Sequence, residues 1–199
     1  VNDILEMDEF NLAIDRDVVK RIIRHLVGNK KNVVLVGAPG VGKTVLAQQV
    51  LKVIGGEEIG SENYHVAVAH AEWTRRNVIG GLNLKGDTFE PGCVTDAAED
   101  EQWLLIDEFN RADINKAFGE MFLGIESNKI TLSKAEAEVR VGKGEDKDII
   151  IPEEFRMVCT MNDFDKNLLL TELSYGLITR FAFVDIKPDQ GKKELDSIR

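Results

Sequence analysis

Eight consecutive residues restrict this chain more than any other feature: Gly37-Ala38-Pro39-Gly40-Val41-Gly42-Lys43-Thr44, the pattern G-x-x-x-x-G-K-[ST] in full. In front of them stands Val33-Val34-Leu35-Val36, an apolar, β-branched run with the length of a buried parallel strand. Behind them a helix is expected from Lys43 to Ile54, stopped by Gly55-Gly56. Strand, glycine turn and helix in that order make a phosphate cradle. The glycines let backbone N–H groups turn inward, and the helix N-terminus adds a favourable dipole. These eight residues, with Val45 just inside the helix, are therefore predicted to bind a nucleotide. Lys43 should reach its terminal phosphates, and the Thr44 hydroxyl should ligate Mg²⁺.

The rest of the chain alternates helix-like and strand-like segments, the signature of an α/β fold. After Asp15-Arg16-Asp17, the residues Val18, Val19, Ile22, Ile23 and Leu26 form a helical stripe that Gly28 ends. Tyr64 to Ala69, Trp103 to Ile106, Met157 to Thr160 and Phe181 to Ile186 supply four more strands. Five strands joined by helices or long crossovers predict a doubly wound parallel sheet, an α/β/α sandwich, in one domain spanning residues 1–199. Two stretches exceed that minimum. Arg75 to Gly92, with Gly80-Gly81, Gly86 and Pro91-Gly92, reads as a structured insertion. Lys129 to Pro152 reads as a β-hairpin: it alternates around Val139-Arg140-Val141, turns at Gly142-Lys143-Gly144 and returns through Ile149-Ile150-Ile151.

Trp103-Leu104-Leu105-Ile106-Asp107-Glu108 is an apolar strand that delivers two carboxylates at its C-terminal end, the edge where open α/β sheets bind ligands. Adjacent strand residues point to opposite sides, so the acids need not share a role. Asp107 suits the outer shell of Mg²⁺, and Glu108 suits a general base acting on the attacking water. Asn162, ending the next strand, is placed to sense a terminal phosphate or position that water.

Acidic residues outnumber basic ones 35 to 25. The resulting charge of −10 argues against a free-standing nucleic-acid binder, whose affinity comes from Lys and Arg. Cys93 and Cys159 cannot build a disulfide framework, and no apolar run reaches the roughly 18 residues of a membrane span, so a reduced cytoplasmic protein is expected. His25, His65 and His70 are not at metal-ligand spacing with the cysteines. Trp73, beside Arg75-Arg76, is expected to pack under the insertion. The first residue is Val1, and the chain is expected to be a piece of a longer protein.

Taken together, these residues resemble the AAA+ ATPases, and among them the dynein-related, helix-2-insert branch, most nearly its McrB-like restriction NTPases and next its MoxR-like members. The likeness is carried by Leu105-Ile106-Asp107-Glu108-Phe109-Asn110-Arg111-Ala112, Phe118-Gly119-Glu120, Met161-Asn162-Asp163-Phe164-Asp165 and Tyr175-Gly176-Leu177-Ile178-Thr179-Arg180-Phe181. The M-N-x-x-D-x-S signature of the McrB-like branch departs here at its last position, Asn167. The resemblance implies that Arg75 to Gly92 is the helix-2 insertion and that the hairpin precedes the sensor strand ending in Asn162. It also implies a hexameric ring with nucleotide between subunits, a neighbour supplying a catalytic arginine, either Arg180 or Arg111. Residues 181–199 are too few for the three-helix lid of such proteins, so the lid is expected to be absent or truncated.

Three functions compete. The first is a motor that hydrolyses ATP or GTP and drives a DNA-cleaving, McrC-like nuclease partner. The second is a MoxR-like ATPase that remodels proteins, and the third a nucleotide-binding scaffold without turnover. Glu108 and Asn162 speak against the third. Asn115-Lys116-Ala117-Phe118 lacks the acid of the guanine-reading N-K-x-D, which speaks against a small GTPase but leaves ATP and GTP both open.

Overall fold

A computed structural model describes residues 16–55, 64–162 and 180–187. In chain order its elements are α1 (Arg16–Ile23), β1 (Asn32–Gly37), α2 (Lys43–Gly55), β2 (Tyr64–Val68), α3 (Arg75–Val78), β3 (Gly80–Leu82) and β4 (Phe89–Pro91). They continue with α4 (Cys93–Glu99), β5 (Trp103–Asp107), α5 (Ile114–Ser127), β6 (Lys129–Ile130), α6 (Lys134–Gly142), β7 (Ile149–Ile150), β8 (Met157–Asn162) and β9 (Phe181–Asp185). A π-helical turn, Arg24–Gly28, extends α1 to the expected glycine stop.

The five strands expected from apolar runs are the five that form the main sheet, in the order β2-β5-β8-β1-β9. Every neighbouring pair is parallel. β1 is buried along its whole length. Its alternate residues divide the core, because successive side chains of a strand face opposite sides. Val34 and Val36 join a cluster with Leu104, Ile106, Met157 and Cys159 under α4 and α5. Val33 and Leu35 join Leu105, Val158, Leu46 and Val50 under α1 and α2. The same alternation sets the site. Asp107 follows the parity of Leu105, and Thr160 and Asn162 follow that of Val158, so all three face α2.

The insertion is structured as expected, with short α3 followed by the antiparallel ribbon β3–β4. Gly80 has no alternative there: its φ is +114°, and a Cβ would stand 2.4 Å from the Glu90 carbonyl. Trp73 packs inward as expected, its ring 5.8 Å from that of Phe118.

The predicted hairpin is corrected. Lys129–Ile130 and Ile149–Ile150 do pair as an antiparallel ribbon, but between them lies α6, and Val139-Arg140-Val141 is helical. The reason is a capping box. The Glu136 N–H donates to the Ser133 hydroxyl at 3.4 Å, and the Ser133 N–H returns to the Glu136 carboxylate at 3.0 Å. Burial then follows a helix: Glu136, Ala137 and Arg140 are buried, while Val141 is exposed. Lys143, expected at a hairpin tip, closes α6 instead and donates to the Thr88 hydroxyl at 3.3 Å.

Candidate functional site

At the C-terminal edge of the sheet, β1 breaks into the glycine turn. Gly37 must be glycine, since a Cβ would stand 2.4 Å from the Ile186 carbonyl where the chain leaves β9. Gly40 and Gly42 hold φ of +79° and +88°, a left-handed backbone that curls the turn around an open space. Val41 lies against Gly37 and donates its N–H to Ala38 at 3.5 Å. Val45, on the first turn of α2, is exposed and does not line the cleft.

The cleft holds about 170 Å³ and is lined by Pro39, Gly40, Lys43, Thr44, Asp107, Glu108, Thr160, Met161 and Asn162. Lys43 is buried, and its ammonium donates to the Gly37 and Ala38 carbonyls, both at 2.9 Å, and to Asn162 Oδ1 at 3.1 Å. These are neutral acceptors that an anionic phosphate can replace at a gain. The Thr44 hydroxyl donates to Asp107 Oδ1 at 2.9 Å. A hydroxyl whose proton is so engaged turns its lone pairs outward, toward any cation in the cleft. Asp107 is the last residue of β5, and its carbonyl accepts the Ala69 N–H at 2.9 Å. Glu108 leaves the strand with φ +54°, a left-handed residue at which the chain turns off the strand, and it lines the cleft beside Asp107. A 3₁₀ turn follows and brings Arg111 Nε to 2.7 Å from Glu108 Oε2.

The structure therefore gathers Lys43, Thr44, Asp107, Glu108 and Asn162 at one cleft, with Arg111 on its rim. Arg180 is not among them. It stands just before β9, at the opposite end of the sheet, and pairs with Glu126 on the last turn of α5. The neighbouring Phe181 is in register with Asn32, five residues before Gly37, a separation of about 17 Å along the strand. Sequence reasoning missed Thr160, whose hydroxyl touches both acids. Its signal was a hydroxyl residue inside an apolar strand, two positions before Asn162.

A known family matches residues 32–181, described as an AAA domain of the dynein-related subfamily. The chain belongs to that family. This AAA domain is an α/β P-loop NTPase, and its activity is hydrolysis of a nucleoside triphosphate. The chain is also 28% identical, over 187 residues, to the type IV methyl-directed restriction enzyme EcoKMcrB subunit of Escherichia coli K12. The match takes in 89% of this chain but only 40% of that relative. The AAA-domain match ends at Phe181. The signature residues after Asn162, the run Tyr175 to Thr179 and any C-terminal lid lie outside the described residues.

Away from the cleft, the insertion and α6 carry a set of ion pairs. Arg75 at the start of α3 meets Glu120 of α5 at 2.7 Å and Glu136 of α6 at 2.9 Å. Burial pushes the Glu136 carboxyl up, but the Ser133 cap and the Arg75 guanidinium outweigh it and hold the group below its ordinary 4.5. Arg140 of α6 joins Glu99 at 2.6 Å and Glu145 at 3.2 Å, and lies over the Phe89 ring at 5.1 Å. The thiols take no part: burial pushes Cys93 up to about 12 and raises Cys159 as well. Among the described residues no group of His, Cys, Asp and Glu is placed to hold a metal by itself, and no helix is long and apolar enough to cross a membrane.

Proposed function

We propose that Lys43, Thr44, Asp107, Glu108 and Asn162 form a Mg²⁺-dependent hydrolytic site, and that the protein is the NTPase subunit of a methyl-directed restriction system, driving a DNA-cleaving partner. The observation that carries the first half is the convergence of these five side chains, from the ends of two strands and the start of one helix, on one cleft. The relative's restriction role supports the second half.

The donor set fits the ion. Thr44 and Asp107 offer hard oxygens, and Mg²⁺ takes few protein ligands because it keeps water and phosphate oxygens. When bound, it neutralises charge on the β- and γ-phosphates. The protein's own residues do the rest. Backbone N–H groups of residues 40–44 orient the phosphates, and Lys43 exchanges its neutral acceptors for the terminal ones. Asn162, freed from Lys43, turns to the γ-phosphate or the water. Glu108 takes the proton of that water, provided its carboxylate is released from Arg111. The described lining meets phosphate and metal, the parts that ATP and GTP share.

Arg180 completes the site of a neighbouring subunit in a hexameric ring. Its position far from its own cleft supports action in trans, whereas Arg111 reaches its own subunit's Glu108. Arg180→Ala and Glu108→Gln proteins should each bind nucleotide and fail to hydrolyse. Mixing them should restore turnover at interfaces that join an intact Glu108 to an intact Arg180. Full activity of Arg180→Ala alone moves the role to Arg111. Turnover stimulated by a protein substrate, and not by DNA with a nuclease partner, replaces the restriction reading with a remodelling one.

A further inference from the structure

Thr160 lines the cleft beside the two acids and is bonded to both residues. In β8 the residues Met157, Val158, Cys159 and Met161 are apolar or sulfur-bearing and buried, and Thr160 is buried among them at 1% exposure. A hydroxyl so deeply placed in a central strand costs stability unless it is paired on both sides. Its two partners are the consecutive acids of the cleft. The Glu108 N–H donates to Thr160 Oγ1 at 3.1 Å, and Thr160 Oγ1 donates in turn to Asp107 Oδ1.

The place of this bridge explains it. The β5–β8 ladder runs through Leu104, Leu105 and Ile106, opposite Met157, Val158 and Cys159. At Asp107 the two strands part, because Glu108 turns left-handed. The Thr160 side chain takes over where the backbone pairing stops: it satisfies the first N–H released from the ladder and fixes the residue at which the chain swings away. On its other side it joins Thr44 on the same oxygen of Asp107. Two hydroxyl protons on Oδ1 set the plane of that carboxylate.

We infer that Thr160 is a positioning residue for hydrolysis: its hydroxyl locks the rotation of the Asp107 carboxylate and the left-handed turn at Glu108, so that the acid facing the metal and the acid facing the water keep their separate directions. This rests on the roles proposed above for Asp107 and Glu108.

Thr160→Val keeps the shape and removes both bonds. In the full-length protein its kcat should fall about 10- to 100-fold, the range for losing a partner that orients a ligand or base, and the Mg²⁺ concentration at half-maximal rate should rise. Nucleotide affinity measured without Mg²⁺ should stay within about threefold, because Lys43 and the glycine turn are untouched. Thr160→Ser restores donor and acceptor and should recover most of kcat. Thr160→Cys, a weak donor, should fall between. Wild-type kcat and Mg²⁺ dependence in folded Thr160→Val overturn the inference. So does a Thr160→Ser protein as slow as Thr160→Val, since the hydroxyl is then not what matters. If Thr160→Val does not fold, the Ser and Cys proteins decide: equal kcat in both, at wild-type thermal stability, is the overturning result. Glu108→Gln is run alongside. If that protein hydrolyses normally, the reading of the site has failed; if it is inactive while Thr160→Val is normal, only the role of Thr160 has.

Discussion

The nucleotide cleft and the insertion with α6 are both built on arginine–glutamate pairs, but they use them in opposite ways. At the cleft, Arg111 meets Glu108 one turn away, with 61% and 34% of the two side chains exposed. In the insertion, Arg75 meets Glu136 from a different element, at 27% and 11%. An exposed pair is worth about 0–1 kcal/mol and exchanges partners readily. A largely buried pair leaves an uncompensated charge when broken. The cleft therefore keeps its charged groups available, and Lys43 rests on neutral oxygens that a phosphate can displace. The insertion ties α3, α5 and α6 together through Arg75, which meets Glu120 and Glu136 at once. One region is poised, and the other is fixed.

The largest expected effect is at the poised region. Lys43→Ala should lower Mg²⁺-nucleotide affinity by about 100-fold or more, since a charge-assisted contact to phosphate is lost, with thermal stability unchanged; calorimetric titration beside a melting curve checks both. Undiminished affinity removes the phosphate assignment.

Arg75→Ala should act the other way, costing stability and leaving nucleotide affinity near normal. Breaking a buried pair costs about 3–5 kcal/mol, and partial exposure brings this to about 2 kcal/mol. Arg111→Ala should cost under about 1 kcal/mol. Urea unfolding of the two proteins tests the contrast, which breaks if the costs are equal.

The acid limb sharpens it further. Glu136 is held below 4.5, so its contribution is complete above the unfolded value and is lost as pH falls through the folded one. Melting temperature should fall as the pH drops below the ordinary carboxyl value, and Glu136→Gln should flatten that slope while lowering the melting temperature at neutral pH. An unchanged slope takes Glu136 out of the acid transition. Smallest of all, Lys143→Ala should shift stability by no more than about 0.5 kcal/mol, as an exposed contact to Thr88 implies.

Local order was legible in the amino-acid sequence wherever one short stretch contains its own reason. Gly37 to Thr44 carries its glycines, lysine and threonine in consecutive positions, so cradle and cation were readable without any neighbour. The apolar runs named the five sheet strands, most plainly β1, β5 and β8, where burial on both faces demands continuous apolarity. The pair Asp107-Glu108 was readable for the same reason, as charge at the end of such a run. Residues 139–141 show the limit: alternation suggested a strand, and the Ser133–Glu136 capping box, also present in the sequence, outweighed it.

Only the tertiary structure decided what depends on distant segments meeting. Thr160 gains its meaning from Asp107 and Glu108, 53 and 52 residues away. Arg75 gains its meaning from Glu136, 61 residues on. The separation of Arg180 from its own cleft follows from the register of β9 on β1. A residue's type fixes which bonds it can make, but the partner is chosen by how strands stack into a sheet. That choice is governed by burial of whole faces, which no single stretch of sequence contains.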